Sequence, residues 1–155
     1  MKLTEQISVF FTRKKGQTKW QKLLSKHKML KKKTQLFFYD RSEKMKFTIN
    51  AKNVLYIKSS GNYVKIYFLE KGKIKKEKIR TNLKKLEKDD VFPMLRCHRS
   101  YMINASKVKV VRRSTIGLKL QLDYDSMQIP LSSKYKNAVI NILHPSQQKE
   151  VPFIN

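Results

Sequence analysis

Three short segments of the chain concentrate basic side chains with small polar ones: Lys58-Ser59-Ser60-Gly61-Asn62, Arg96-Cys97-His98-Arg99-Ser100 and Ser132-Ser133-Lys134. Serine hydroxyls and loop amides suit phosphate oxygens. Arginine and asparagine make paired hydrogen bonds to guanine and adenine edges, and Arg99 and Asn62 are of those types. Taken singly, each segment reads as well as a solvated loop. Three of them in a chain of net charge +25 point to a polyanion, with nucleic acid first and an anionic membrane surface second.

Catalytic chemistry has little to work with. There is no G-x-x-x-x-G-K and no G-x-G-x-x-G. His27, His98 and His144 lie far apart, and Cys97 is the only cysteine, so a zinc site lacks ligands. Cys97 and His98 are not a dyad by adjacency, because neighbours on a strand point to opposite faces. Cys97 reads instead as a small buried hydrophobe. Asp89-Asp90 reads as a solvated turn, and 11 acids in all leave a metal-dependent nuclease short of carboxylates. The expectation is a non-enzyme with no cofactor and no metal.

The elements that must position these segments fit one domain with an appendage in 155 residues. Hydrophobic residues at 40% argue against wholesale disorder despite the charge. A lone cysteine excludes an internal disulfide framework and fits a reducing compartment. No stretch approaches the roughly 18 apolar residues of a membrane helix. The run Ile7 to Phe11 is too short and broken for a signal peptide, so a cytoplasmic location is expected.

Residues 1–33 hold eleven basic residues and one acid, Glu5, which leaves 34–155 at +15. Trp20, Leu23, Leu24, His27 and Leu30 fall at helical spacing, which predicts a short helix with a basic outer side. It reads as a cap on the domain, an arm on DNA or a partner, or a membrane-surface anchor. From Thr34 the period changes to two. Leu36–Tyr39, Lys46–Ile49, Val54–Lys58, Tyr63–Leu69 and Lys73–Ile79 read as strands.

A helical turn follows over 82–88, with Asn82 as its cap. Short strands are expected at Met94–Cys97, Tyr101–Ile103, Lys107–Arg112, Leu118–Leu122 and Met127–Ile129, with Pro130 setting a strand end. A last helix starts at Ser132 or Ser133, carries Tyr135, Val139, Ile140 and Leu143 on one side, and ends at His144-Pro145. The fold class is mainly β: about ten short, mostly antiparallel strands with one or two small helices.

Four blocks in order resemble the LytTR-type DNA-binding domain: Lys58 to Ile66 (KSSGNYVKI), Arg80 to Glu87 (RTNLKKLE), Phe92 to Asn104 (FPMLRCHRSYMIN), and Ile129 to Ser132 (IPLS). The match runs over about residues 46–143, and the FxxxRxHRSYxxN block is its most specific part. The resemblance implies a DNA-binding domain over 34–143, between the arm 1–33 and an extended tail 144–155. It implies a bacterial transcription regulator that places loops, not a recognition helix, into successive major grooves at paired direct repeats. Base contacts would fall to Asn62 or Tyr63, Arg99, and Ser133 or Lys134. Backbone contacts would fall to Lys58, Ser60, Lys65, His98, Ser100 and Lys136.

The implied partners are double-stranded DNA, a second copy on DNA, and a separate sensor or membrane inhibitor protein. Ser133 stands where the family commonly has arginine, and Lys134 lacks the planar fork to replace it. Residues 1–45 offer no acidic phosphorylation pocket, so control by phosphorylation in cis is not expected. Asn104 reads as a bond to a turn, and Glu87 as an internal ion pair with Arg80 or Arg96. Two other readings remain. One is a non-specific nucleic-acid binder driven by lysine excess. The other is a membrane-associated regulator docked through the basic arm.

Overall fold

The computed structural model describes residues 35–89, 91, 93–124 and 127–144, with the backbone of 153–154. The helix expected within 1–33, the turn at Asp125-Ser126 and most of the tail lie outside the described residues. The strands are β1 (Gln35–Tyr39), β2 (Met45–Asn50), β3 (Val54–Ser60), β4 (Tyr63–Glu70), β5 (Lys73–Ile79), β6 (Met94–His98), β7 (Tyr101–Asn104), β8 (Val108–Ser114), β9 (Gly117–Leu122), β10 (Gln128–Leu131) and β11 (Phe153–Ile154). Among the described residues two α-helices accompany them: α1 (Leu83–Lys88) after β5, and α2 (Ser133–Leu143) after β10.

The strands form three sheets: β1-β2, β5-β4-β3-β7-β6, and β10-β9-β8-β11. Every pairing is antiparallel except β11 on β8. The five-stranded sheet lies at the centre because β3 is apolar on both faces. Val54 and Ile57 join Leu36 and Phe38 of β1, Ile49 of β2 and Leu83 and Leu86 of α1 in one core. Leu55 and Tyr56 join Val111, Leu120, Ile129 and Val139 in a second. An unbroken apolar run is what a strand covered on both sides requires.

Two sequence expectations are corrected, at Lys107 and at Pro130. Lys107 belongs not to a strand but to a single 3-10 turn, Ala105–Lys107, and a second such turn, Ala51–Asn53, joins β2 to β3. Each is capped by the asparagine before it: Asn104 Oδ1 accepts from Ser106 N at 3.0 Å, and Asn50 Oδ1 from Lys52 N at 3.1 Å. Pro130 does not end a strand. It lies inside β10 opposite Lys119, where an edge strand tolerates the missing N–H. In α2, Val139 and Ile142 are the buried pair, while Tyr135, Ile140 and Leu143 are only partly covered. The expected tail contains β11, a two-residue parallel addition to the β8 edge.

Candidate nucleic-acid interface

The first polar segment spans the end of β3 and a two-residue turn into β4, with Ser60 opposite Tyr63. Gly61 has φ +61 and nothing near a would-be Cβ, so backbone conformation rather than space calls for glycine. Asn62 and Tyr63 are exposed at this tip. Lys78 of β5 holds its ammonium 4.2 Å from the Tyr63 ring centroid.

The second segment is the β6–β7 turn. Arg99 is exposed at its tip, and Arg96 fixes the turn from below. Arg96 Nε donates to the His98 carbonyl at 2.8 Å, and its Nη2 donates to the Arg99 carbonyl at 2.7 Å. Its Nη1 pairs with Glu87 of α1 at 2.9 Å, the internal ion pair expected of Glu87. A planar fork with several donors can make all three bonds at once, and a lysine cannot.

The Ser100 amide donates to His98 Nδ1 at 3.1 Å, which leaves the ring proton on Nε2. Burial, then Arg99 and Arg96, lower the His98 pKa below its ordinary value. The imidazole is thus a neutral donor. Cys97 is fully buried, and burial pushes its thiol up to about 12, which makes it an unreactive group.

The third segment enters α2. Ser133 and Lys134 are exposed, and Lys136 is half-buried one turn in. Ser132 does not cap α2 with its side chain; its hydroxyl leans on the Cys97 carbonyl at 3.5 Å.

Two backbone bonds gather the segments at one end of the central sheet. The Ser59 amide donates to the Ser100 carbonyl at 2.9 Å, and the Ser132 amide donates to the Cys97 carbonyl at 2.9 Å. Asn62, Tyr63, Arg99, Ser133 and Lys134 are exposed at the three tips. Lys58, Ser60, Lys65, His98, Ser100 and Lys136 are half-buried beside them. An open groove of about 600 Å³ adjoins this end, where His98, Ser132, Ser133 and Lys136 meet Arg113 and Lys119 from the β8–β9 hairpin. Arg113 and Lys119 were not singled out from sequence, since only pairing of β8 with β9 and β9 with β10 brings them here. Among the described residues no group of His, Cys, Asp and Glu could hold a metal ion.

Residues 44–144, about two thirds of the chain, match the LytTr DNA-binding domain family. The chain belongs to the LytTR family. DNA binding and a place in transcription regulation come with that membership. The described LytTR fold also resembles a solved structure, the LytTr DNA-binding domain of a response regulator from Bacillus cereus. That match has a TM-score of 0.55 and 17% identity, and covers 70% of this chain and 97% of that one. At such identity it is a likeness of fold. No curated protein shows significant similarity to the chain. Within the LytTR domain, the FxxxRxHRSYxxN block divides its labour. Asn104 is buried and donates through Nδ2 to the carbonyls of Ala51 (2.9 Å) and Val54 (2.6 Å), as expected of a bond to a turn. Arg96 aligns the turn, and Arg99 alone of the three points into solvent. No helix among the described residues is long and apolar enough to cross a membrane.

Proposed function

We propose that this LytTR domain is a sequence-specific reader of double-stranded DNA, with its three loops entering major grooves. The supporting observation is the joining of the loops through Ser59–Ser100 and Cys97–Ser132, with exposed polar tips and no acid among the tip residues. Loops held by the sheet need no ordering on binding, which leaves more of the contact energy for discrimination.

Arg99 is the strongest base-reading candidate, with paired bonds to guanine. Asn62 or Tyr63 reads from the first loop, and Ser133 or Lys134 from the third. Lys58, Ser60, Lys65, His98, Ser100 and Lys136 hold phosphates and set register. Paired direct repeats would seat two copies, and a separate sensor or membrane inhibitor protein would supply the regulating signal.

The test is enrichment of genomic fragments on the full chain at about 150 mM salt, where purely electrostatic binding is weakened. Recovery of a short repeated motif, spaced by about one helical turn, is expected. Recovery of unrelated fragments, with binding that vanishes as salt rises, would replace this reading with non-specific binding.

A further inference from the structure

The register of the central sheet places five residues in one row across all its strands. Lys78 of β5 is opposite Lys65 of β4, Lys65 is opposite Lys58 of β3, Lys58 is opposite Tyr101 of β7, and Tyr101 is opposite His98 of β6. Directly paired residues share a face. Two ring contacts agree with this: Lys58 Nζ lies 5.6 Å from the Tyr101 centroid, and the His98 and Tyr101 centroids are 5.8 Å apart.

Three lysines in adjacent opposed positions repel one another. Ion pairs among the described residues engage Lys46, Lys75, Lys85 and Arg96, and none engages Lys58, Lys65 or Lys78. The nearest acid along β5, Glu77, is opposite Ile66 and faces the other side. Lysine on an edge strand can serve only to discourage edge-to-edge pairing, and β5 is such an edge. That explanation covers Lys78 but not Lys65 and Lys58, which sit on interior strands. A row that costs the free fold stability and has no acidic partner among the described residues fits a bound polyanion.

We infer that Lys58, Lys65 and Lys78 form a phosphate track that carries the DNA backbone beyond the three loops to β5. Four inter-strand steps separate Lys78 from His98, about 19 Å, or five to six base steps along one strand. The Tyr63 ring beneath the Lys78 ammonium holds that charge toward the loop end. The inference rests on the loop end as the duplex contact, but it concerns phosphate and not sequence.

The test uses the full chain and a random-sequence duplex of about 40 base pairs, so that it stands apart from base reading. Affinity is measured against salt for the parent, for Lys78→Gln, and for Lys84→Gln on the exposed side of α1. Lys78→Gln is expected to flatten the log–log salt slope by about 0.9, the share of one phosphate, and Lys84→Gln to leave it unchanged. In the absence of DNA, Lys78→Gln should melt higher than the parent at low salt, since it relieves repulsion from Lys65. An unchanged slope in Lys78→Gln, or equal flattening in both variants, would overturn the track. So would a loss of binding to anionic phospholipid vesicles with duplex binding intact, which would make the row a lipid headgroup site. Failure of Arg99→Ala to lose sequence preference would overturn base reading and leave this result standing.

Discussion

Arg96 and Arg99 lie three residues apart and have opposite tasks. Arg99 ends in solvent, whereas the Arg96 side chain is 15% exposed and spends its fork on two carbonyls and Glu87. Arg99→Ala should cost about 1–3 kcal/mol on the recovered motif and little on random duplex, as read by competition binding. Equal losses on both would remove Arg99 from base reading. Arg96→Lys keeps the charge but cannot reproduce the fork, so motif affinity should fall while the salt slope stays as in the parent. A flattened slope would make Arg96 a phosphate contact instead. His98 predicts a pH effect whose sign follows from its lowered pKa. The neutral ring accepts from the Ser100 amide, and its contribution is full above the unfolded-state value near 6.5. As pH falls through that value toward the lower folded one, the unfolded chain binds the proton first and stability is lost. Thermal melts of the free protein between about pH 7 and pH 5 should therefore drop further for the parent than for His98→Gln. Parallel curves would show that the ring is not held neutral.

Among the elements, the strands were legible because alternation is a local signal, and β3 to β5 fall within about two residues of expectation. The two asparagine-capped 3-10 turns were not legible. Asn50 and Asn104 end strands, and nothing in their neighbours separates a one-turn helix from a continuing strand. Pro130 misled for a related reason: it bars a central strand, and only the sheet order reveals β10 as an edge. The loop tips could be named from FxxxRxHRSYxxN and its companion blocks, whereas Lys78 could not, because its place is fixed by register across three strands. Asn104 shows how much one such residue holds. Its side chain bonds Ala51, Val54 and both donors of Ser106, at 2.6 to 3.0 Å, so it joins the turn before β3 to the turn after β7. Asn104→Ala strands two buried carbonyls and should lower stability by about 2–4 kcal/mol in urea unfolding. Under folding conditions its salt slope on duplex should match the parent, since the residue faces no solvent. A loss of slope without a loss of stability would assign Asn104 to DNA instead.

Among the described residues, the ion-paired charges are unevenly spread. Asp40, Glu43, Glu87 and Asp89 gather around α1 and the β1–β2 turn, where Lys85 Nζ reaches Glu43 at 3.1 Å and Asp89 at 2.8 Å. Asp40 is buried there and accepts from the Ser42 hydroxyl and amide, the Lys44 amide and Lys46, which together hold its carboxyl well below the usual range. By contrast no ion pair among the described residues engages Lys58, Lys65 or Lys78 at the loop end, so the field steers a polyanion to that end. A net charge of +25 on 155 residues also means that the free fold repels itself. Salt should therefore act with opposite signs on the two states. Raising salt from about 0.05 M to about 0.5 M screens that repulsion, since the Debye length shrinks well below the spacing of the lysine-rich surfaces, and the melting temperature of the free protein should rise. Over the same range the complex with duplex loses the favourable release of counterions, and the extra melting temperature conferred by DNA should shrink toward zero. Differential scanning fluorimetry of both samples across one salt series reads the two trends together. A free protein that melts lower as salt rises would mean that the ion pairs around α1 outweigh the repulsion of the loop end, and the uneven charge would then be a stabilising feature of the fold rather than a cost that DNA relieves.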